Sequence, residues 1–208
     1  MELHEALTQI TEIRQQLART EVFRGYRALP IAFSGVLALG TAAAQSIWLP
    51  EPMANVAIYL TLWLGAAFLS MLATGIEMIW HLRHRASTLE PEKTRLALEQ
   101  FCPAIAAGGL VTLVLVRHAP DSVWMLPGLW NLLFSLGIFA SWRLLPKATL
   151  AVGAFYFMVG MLCLAFAQGE YALNPWLMGL PFGIGQLTTA AILYWALERR
   201  HGEEQELA

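Results

Sequence analysis

Charge is what this chain has least of. Asp, Glu, Lys and Arg make up 13% of its 208 residues, about half the share of a soluble domain, while 57% are apolar. A water-facing surface cannot be built from so few charges, which excludes an ordinary soluble globular domain. Cysteine is scarce as well. Cys102 and Cys163 lie in different apolar segments, and no CxxC or Cys/His spacing includes either. That excludes a disulfide framework and a zinc-finger module, and leaves both as small packing residues. There is no P-loop, GxGxxG, HExxH, GxSxG or Ser-x-x-Lys sequence. The common nucleotide, zinc-protease and serine-nucleophile chemistries therefore have no basis here, and a non-enzymatic role is expected. The five histidines do not fall on separate apolar helices at matching depth, as a bis-histidine haem would need. A net charge of −2 gives no pull toward nucleic acid. The N-terminus is polar and lacks the apolar core of a signal peptide, so the first spanning helix is expected to direct insertion.

What is present is long apolar runs, with a mean hydropathy of +0.54. Crossing about 30 Å of hydrocarbon takes ~20 helical residues. Six segments reach that length: 29–48, 55–80, 98–116, 123–142, 148–167 and 176–197. The expected fold is therefore all-α, an integral membrane bundle of six transmembrane helices in three hairpins. An amphipathic N-terminal helix precedes it. Residues 1–27 form the helix and juxtamembrane segment, 28–200 the bundle and 201–208 an acidic tail.

Cations fix the expected orientation. The N-terminal segment, the loop around Arg83 to Arg95, the fourth-to-fifth connection and the C-terminal tail hold twelve of the Lys and Arg residues. The three short connections hold only Arg117. By the positive-inside rule both termini are expected in the cytoplasm of a cell inner membrane. Trp48, Trp124 and Trp176 fall at the expected outer ends and Trp80, Trp142 and Trp195 at the inner ends, where amphipathic indoles collect. Trp63 and Trp130 are exceptions, well inside their helices.

A slight internal repeat accompanies this. Pro30 to Gly35 resembles Pro103 to Gly108, and the Leu-Trp pair at Leu62-Trp63 can be set against that at Leu129-Trp130. Gly179 and Gly183 form GxxxG in the sixth segment, and Ser34, Ala38 and Ala42 make a small-residue stripe in the first. Such residues let helices approach closely in lipid, within one chain or between two.

Partners are expected to include the lipid bilayer. In the N-terminal helix Leu3, Leu7, Ile10, Ile13 and Leu17 share one face. That face suits packing under the bundle, membrane-surface binding, or docking with a protein partner or second copy.

Two sets of residues are candidates for chemistry. Glu77, His81 and His84 stand at i, i+4 and i+7, one face of a helix, and could hold a divalent metal or relay a proton. The competing reading is a solvated helix end, since no further ligand is fixed, and no cofactor is expected. Deeper in the membrane lie Asn131 and Gln186, with Thr61, Ser135, Tyr156, Thr188 and Thr189. Asn131 and Gln186 are the costliest to leave unpaired and are expected to hydrogen-bond between helices, or else to line a solute path.

The C-terminal two-fifths carries a more specific pattern. Leu126-Pro127-Gly128-Leu129-Trp130-Asn131 leads to Ser141-Trp142-Arg143, then Phe157-Met158-Val159-Gly160-Met161. Asn174-Pro175-Trp176 ends the outer loop, Gly179-Leu180-Pro181-Phe182-Gly183 opens the sixth helix, and the chain leaves the membrane through Leu197-Glu198-Arg199-Arg200. This resembles a group of uncharacterised six-helix bacterial inner-membrane proteins with a short helical N-terminal tail. The resemblance implies topology and no activity. Three functions remain open: a non-enzymatic regulatory, sensory or assembly subunit; a small-solute transporter or channel-like subunit; and a metal-binding membrane enzyme or sensor.

Overall fold

The structure, a computed structural model, describes the backbone over residues 28–85 and 90–198 and side chains over 28–80 and 99–196. The N-terminal helix with Leu3, Leu7, Ile10 and Leu17, and the 201–208 tail, lie outside the described residues. Those described form helices and no strand: α1 (Ala28–Trp48), α2 (Val56–Arg85), α3 (Glu90–His118), α4 (Leu126–Ala140), α5 (Thr149–Phe166) and α6 (Trp176–Leu193). A 3₁₀ segment, Pro120–Met125, leads into α4, and a π-helical turn, Tyr194–Glu198, extends α6. Each helix, α4 with its 3₁₀ lead, is long and apolar enough to cross a membrane, giving a six-helix membrane bundle.

The helices around the central loop outrun their expected spans. α2 continues past Trp80 to Arg85, and α3 starts at Glu90, eight residues before its apolar run. Glu, Lys and Arg are good helix formers, and Pro91 sits in the first turn, where its missing N–H is no loss. Apolarity marks where a helix can meet lipid, not where its hydrogen bonding stops.

Packing separates a core from two edges. α1 lies against α6 and α4 against α5, and α6 joins both pairs. α2 lies beside α1, and α3 beside α4. Close approach in the core depends on glycine. Gly179 faces Ala42, and a methyl group on Gly183 would sit 2.6 Å from Leu39. Gly128 and Gly160 face one another, each placing the other's carbonyl 2.9 Å from where a Cβ would be. Away from the short connections, Tyr156 is sealed among Phe134, Phe155 and Phe182, its phenol resting on Gly185. In lipid these contacts gain dispersion and few solvent terms, so closeness of fit carries the stability.

The edge helices bury much less. Only 17% of the α2 span and 6% of the α3 span is buried, against 28% to 44% for the others. No residue of α2 from 64 to 80 is buried.

Candidate functional site

The buried hydrogen-bonding side chains that cross between helices gather in the half of the bundle nearest the short connections. Gln45, one turn from the end of α1, is fully buried. Its Oε1 accepts the Trp63 indole N–H from α2 at 2.7 Å, and its Nε2 donates to the Leu173 carbonyl at 2.9 Å. Leu173 lies in the connection between α5 and α6 with φ of 56°, a left-handed conformation costing a leucine about 1–2 kcal/mol. Its side chain is fully buried. Apolar burial and the Gln45 bond together hold that strained turn. One carboxamide thus ties α1, α2 and the last short connection together.

The second hairpin holds a counterpart. Trp130 Nε1 donates to Thr112 Oγ1 at 2.9 Å, and Thr112 donates in turn to the Gly108 carbonyl at 2.7 Å. In both hairpins the indole lies 18 residues after its acceptor. Tyr59, fully buried on α2, joins the two. Its ring stacks on Trp130 at 6.3 Å and 5°, and meets Trp63 tilted at 6.4 Å. The result is a belt of neutral donors, acceptors and aromatic faces. It can hold helices in register. Its side-chain groups are an amide, a hydroxyl, a phenol and two indoles.

Asn131 is fully buried beside the belt, but its expected interhelical bonding is only partly realised. Nδ2 donates at 2.7 Å to Pro127 O of its own helix, and weakly to Met178 Sδ of α6 at 3.8 Å. Its Oδ1 has no partner among the described residues, and neither has the Tyr59 hydroxyl. Gln186 makes no side-chain hydrogen bond with a described residue, so the expected interhelical bond is not among those described. Its Cβ packs over Gly35 of α1, where a methyl would lie 3.1 Å away. It is only half-buried, so its amide is not forced to find a protein partner. Ser135, Thr61 and Thr189 each bond a carbonyl of their own helix. Short hydroxyl side chains reach the preceding turn more easily than a neighbouring helix.

Glu77 is half-buried near the far end of α2. The helix continues through positions 81 and 84, giving Glu77, His81 and His84 one helical register, but the two histidine side chains lie outside the described residues. Among the described residues no three His, Cys, Asp or Glu side chains converge as metal ligands would. Gly179 and Gly183 face α1 within the chain.

Gln45, Thr112 and Tyr59 escape a reading of the sequence. Gln45 sits beside Trp48 and reads as part of a polar helix boundary. The available signal was the pairing of two mid-helix tryptophans with a polar residue 18 positions earlier. No family model, curated protein or solved structure matches this chain.

Proposed function

We propose that this chain is a bacterial inner-membrane protein with both termini in the cytoplasm, of the six-helix group it resembles. In this reading it acts as a non-enzymatic regulatory, sensory or assembly subunit. The observation that carries the reading is the contrast between a closed core and a poorly covered α2. The glycine seams and the Tyr156 aromatic cluster fill the centre, while no residue of α2 from 64 to 80 is more than partly buried. A helix continuous from that uncovered stretch to Arg85 can transmit a contact at one membrane face into the bundle.

Photocrosslinking residues at Leu64, Phe68 and Ile76 should yield one recurrent protein adduct, absent at Met158 and Leu162 on α5. It should be lost when residues 1–19 are deleted. Lipid adducts alone at both sets would refute the docking role. Labelling of single cysteines near position 170 and at the C-terminus tests orientation. Access to position 170 only from outside the cell, and to the C-terminus only after permeabilisation, is expected.

A second reading, a carrier for a small neutral solute, draws on the unpartnered Asn131 Oδ1 and Tyr59 hydroxyl. Liposome flux abolished by Asn131→Leu would favour it over the first.

A further inference from the structure

The end of the bundle formed by the short connections holds a cleft of about 230 Å³, lined by chain neighbours of Gln45 and Leu173. Its walls come from the end of α1 with the turn after it, and from the connection into α6. Pro50, Pro52, Pro175, Glu170, Asn174, Ser46 and Trp176 are among the residues lining it. This is smaller than the ~300–1,000 Å³ of a site for a drug-sized molecule, which sets the scale of a ligand at a head group.

The lining is rich in acceptors and poor in donors. Three of its residues are prolines, which have no N–H. The amides of Leu49, Ala172 and Asn174 already donate to Gln45, Gly169 and Tyr171 carbonyls at 2.8–3.1 Å. At the start of α6, Trp176 N–H donates to Asn174 Oδ1 at 3.0 Å. Leu177, Met178 and Gly179 donate to the Asn174 and Pro175 carbonyls. The N-terminal amides that would receive an anion are therefore engaged within the chain, which argues against a phosphate or carboxylate ligand. The Ser46 hydroxyl donates to Ala43 O at 2.8 Å, leaving its lone pairs free. The Asn174 carboxamide and the Trp176 indole keep neutral N–H groups, but the full charge on the wall is the Glu170 carboxylate. The Trp176 ring, 42% exposed, supplies an aromatic face in the same cleft.

A carboxylate, an aromatic face and few free donors make a receptor for a small organic cation. We propose that this cleft binds an ammonium group, primary or quaternary, carried by a lipid head group or by a free amine. Glu170 provides the charge and Trp176 the cation–π face. The strained turn at Leu173, fixed by Gln45, sets the wall that carries Asn174.

The test uses purified full-length protein in a buffer without amines. Tetramethylammonium and a neutral branched control of comparable size, the diol neopentyl glycol, are titrated calorimetrically against wild type, Glu170→Gln and Trp176→Leu. Weak saturable binding of tetramethylammonium is expected, reduced about fivefold to tenfold by either substitution, with none of the diol. Both positions are exposed, so both variants should fold, and unchanged thermal unfolding verifies this. In parallel, protein in nanodiscs of mixed phosphatidylethanolamine and phosphatidylglycerol is extracted and its bound lipid counted by native mass spectrometry. Retention of phosphatidylethanolamine that Glu170→Gln abolishes assigns the lipid source, and tetramethylammonium binding without such retention assigns the free amine. The proposal is overturned by equal affinity for the neutral diol, by tighter binding of inorganic phosphate, by Glu170→Gln binding like wild type, or by the absence of both tetramethylammonium binding and lipid selectivity.

Discussion

The first and second hairpins solve one problem from opposite sides. Each contains a core helix and an edge helix, and each ties them with an indole N–H to a polar side chain 18 residues earlier. In the first, the acceptor Gln45 belongs to the core helix α1 and the indole to the edge helix α2. In the second, the acceptor Thr112 belongs to the edge helix α3 and the indole to the core helix α4. The acceptors also differ in reach. A carboxamide accepts and donates at once, so Gln45 extends its bond to Leu173 in the third hairpin. A threonine hydroxyl at this position turns back to its own helix at Gly108. The first tie is therefore a junction of three segments and the second a local clasp.

Substitutions can break or sharpen that contrast. The largest effect is expected in the core seam between α4 and α5. Gly160→Leu must separate α4 from α5 at Gly128 and should cost about 3 kcal/mol, read as reversible unfolding in mixed detergent micelles. A change under about 1 kcal/mol would show that the seam is loose. Next comes Gln45→Leu, which leaves the Trp63 N–H and the Leu173 carbonyl without partners. It should cost about 2 kcal/mol and speed amide exchange across residues 168–175. Exchange unchanged there would sever the third hairpin from the junction. Thr112→Val removes one interhelical bond and should cost about 0.6 kcal/mol with no effect on that connection. If it matches Gln45→Leu, the distinction between junction and clasp is lost. The smallest change should be a gain. Gly65 on α2 has nothing within 4 Å of a would-be Cβ, so Gly65→Ala should stabilise by about 0.5 kcal/mol through helix propensity. A loss would instead place a close neighbour against α2.

The same contrast explains what could be read from the residues alone. The six helices were legible because each needs its own apolar run of membrane length, a one-dimensional property. Tryptophans at helix ends were legible for a related reason: Trp48, Trp80, Trp142, Trp176 and Trp195 are exposed where an amphipathic ring belongs, while Trp124 is partly buried. Packing was less legible. Gly65, Gly75 and Gly109 meet nothing, whereas Gly128, Gly160 and Gly185 are pressed against neighbours, and composition does not distinguish them. The polar residues divided in the same way. Asn131 is buried as its position deep in the fourth span suggests, yet its strongest bond stays within its own helix. Gln186 looks equivalent in the chain and packs over Gly35 without a hydrogen bond to a described residue. Gln45, near a helix end, became the most connected polar side chain of the belt.

The sequence by itself determined the number of spanning helices and their approximate limits, because a membrane selects segments by length and apolarity. It also carried the cation asymmetry from which an orientation is proposed. Only the tertiary structure decided which helices form the core, which glycines are seams, and that Gln45 rather than Gln186 bridges segments. The reason is physical: every spanning helix is apolar on all sides, so hydrophobicity cannot tell lipid from neighbour. The choice falls to shape and to a few hydrogen bonds that exist only once distant segments meet.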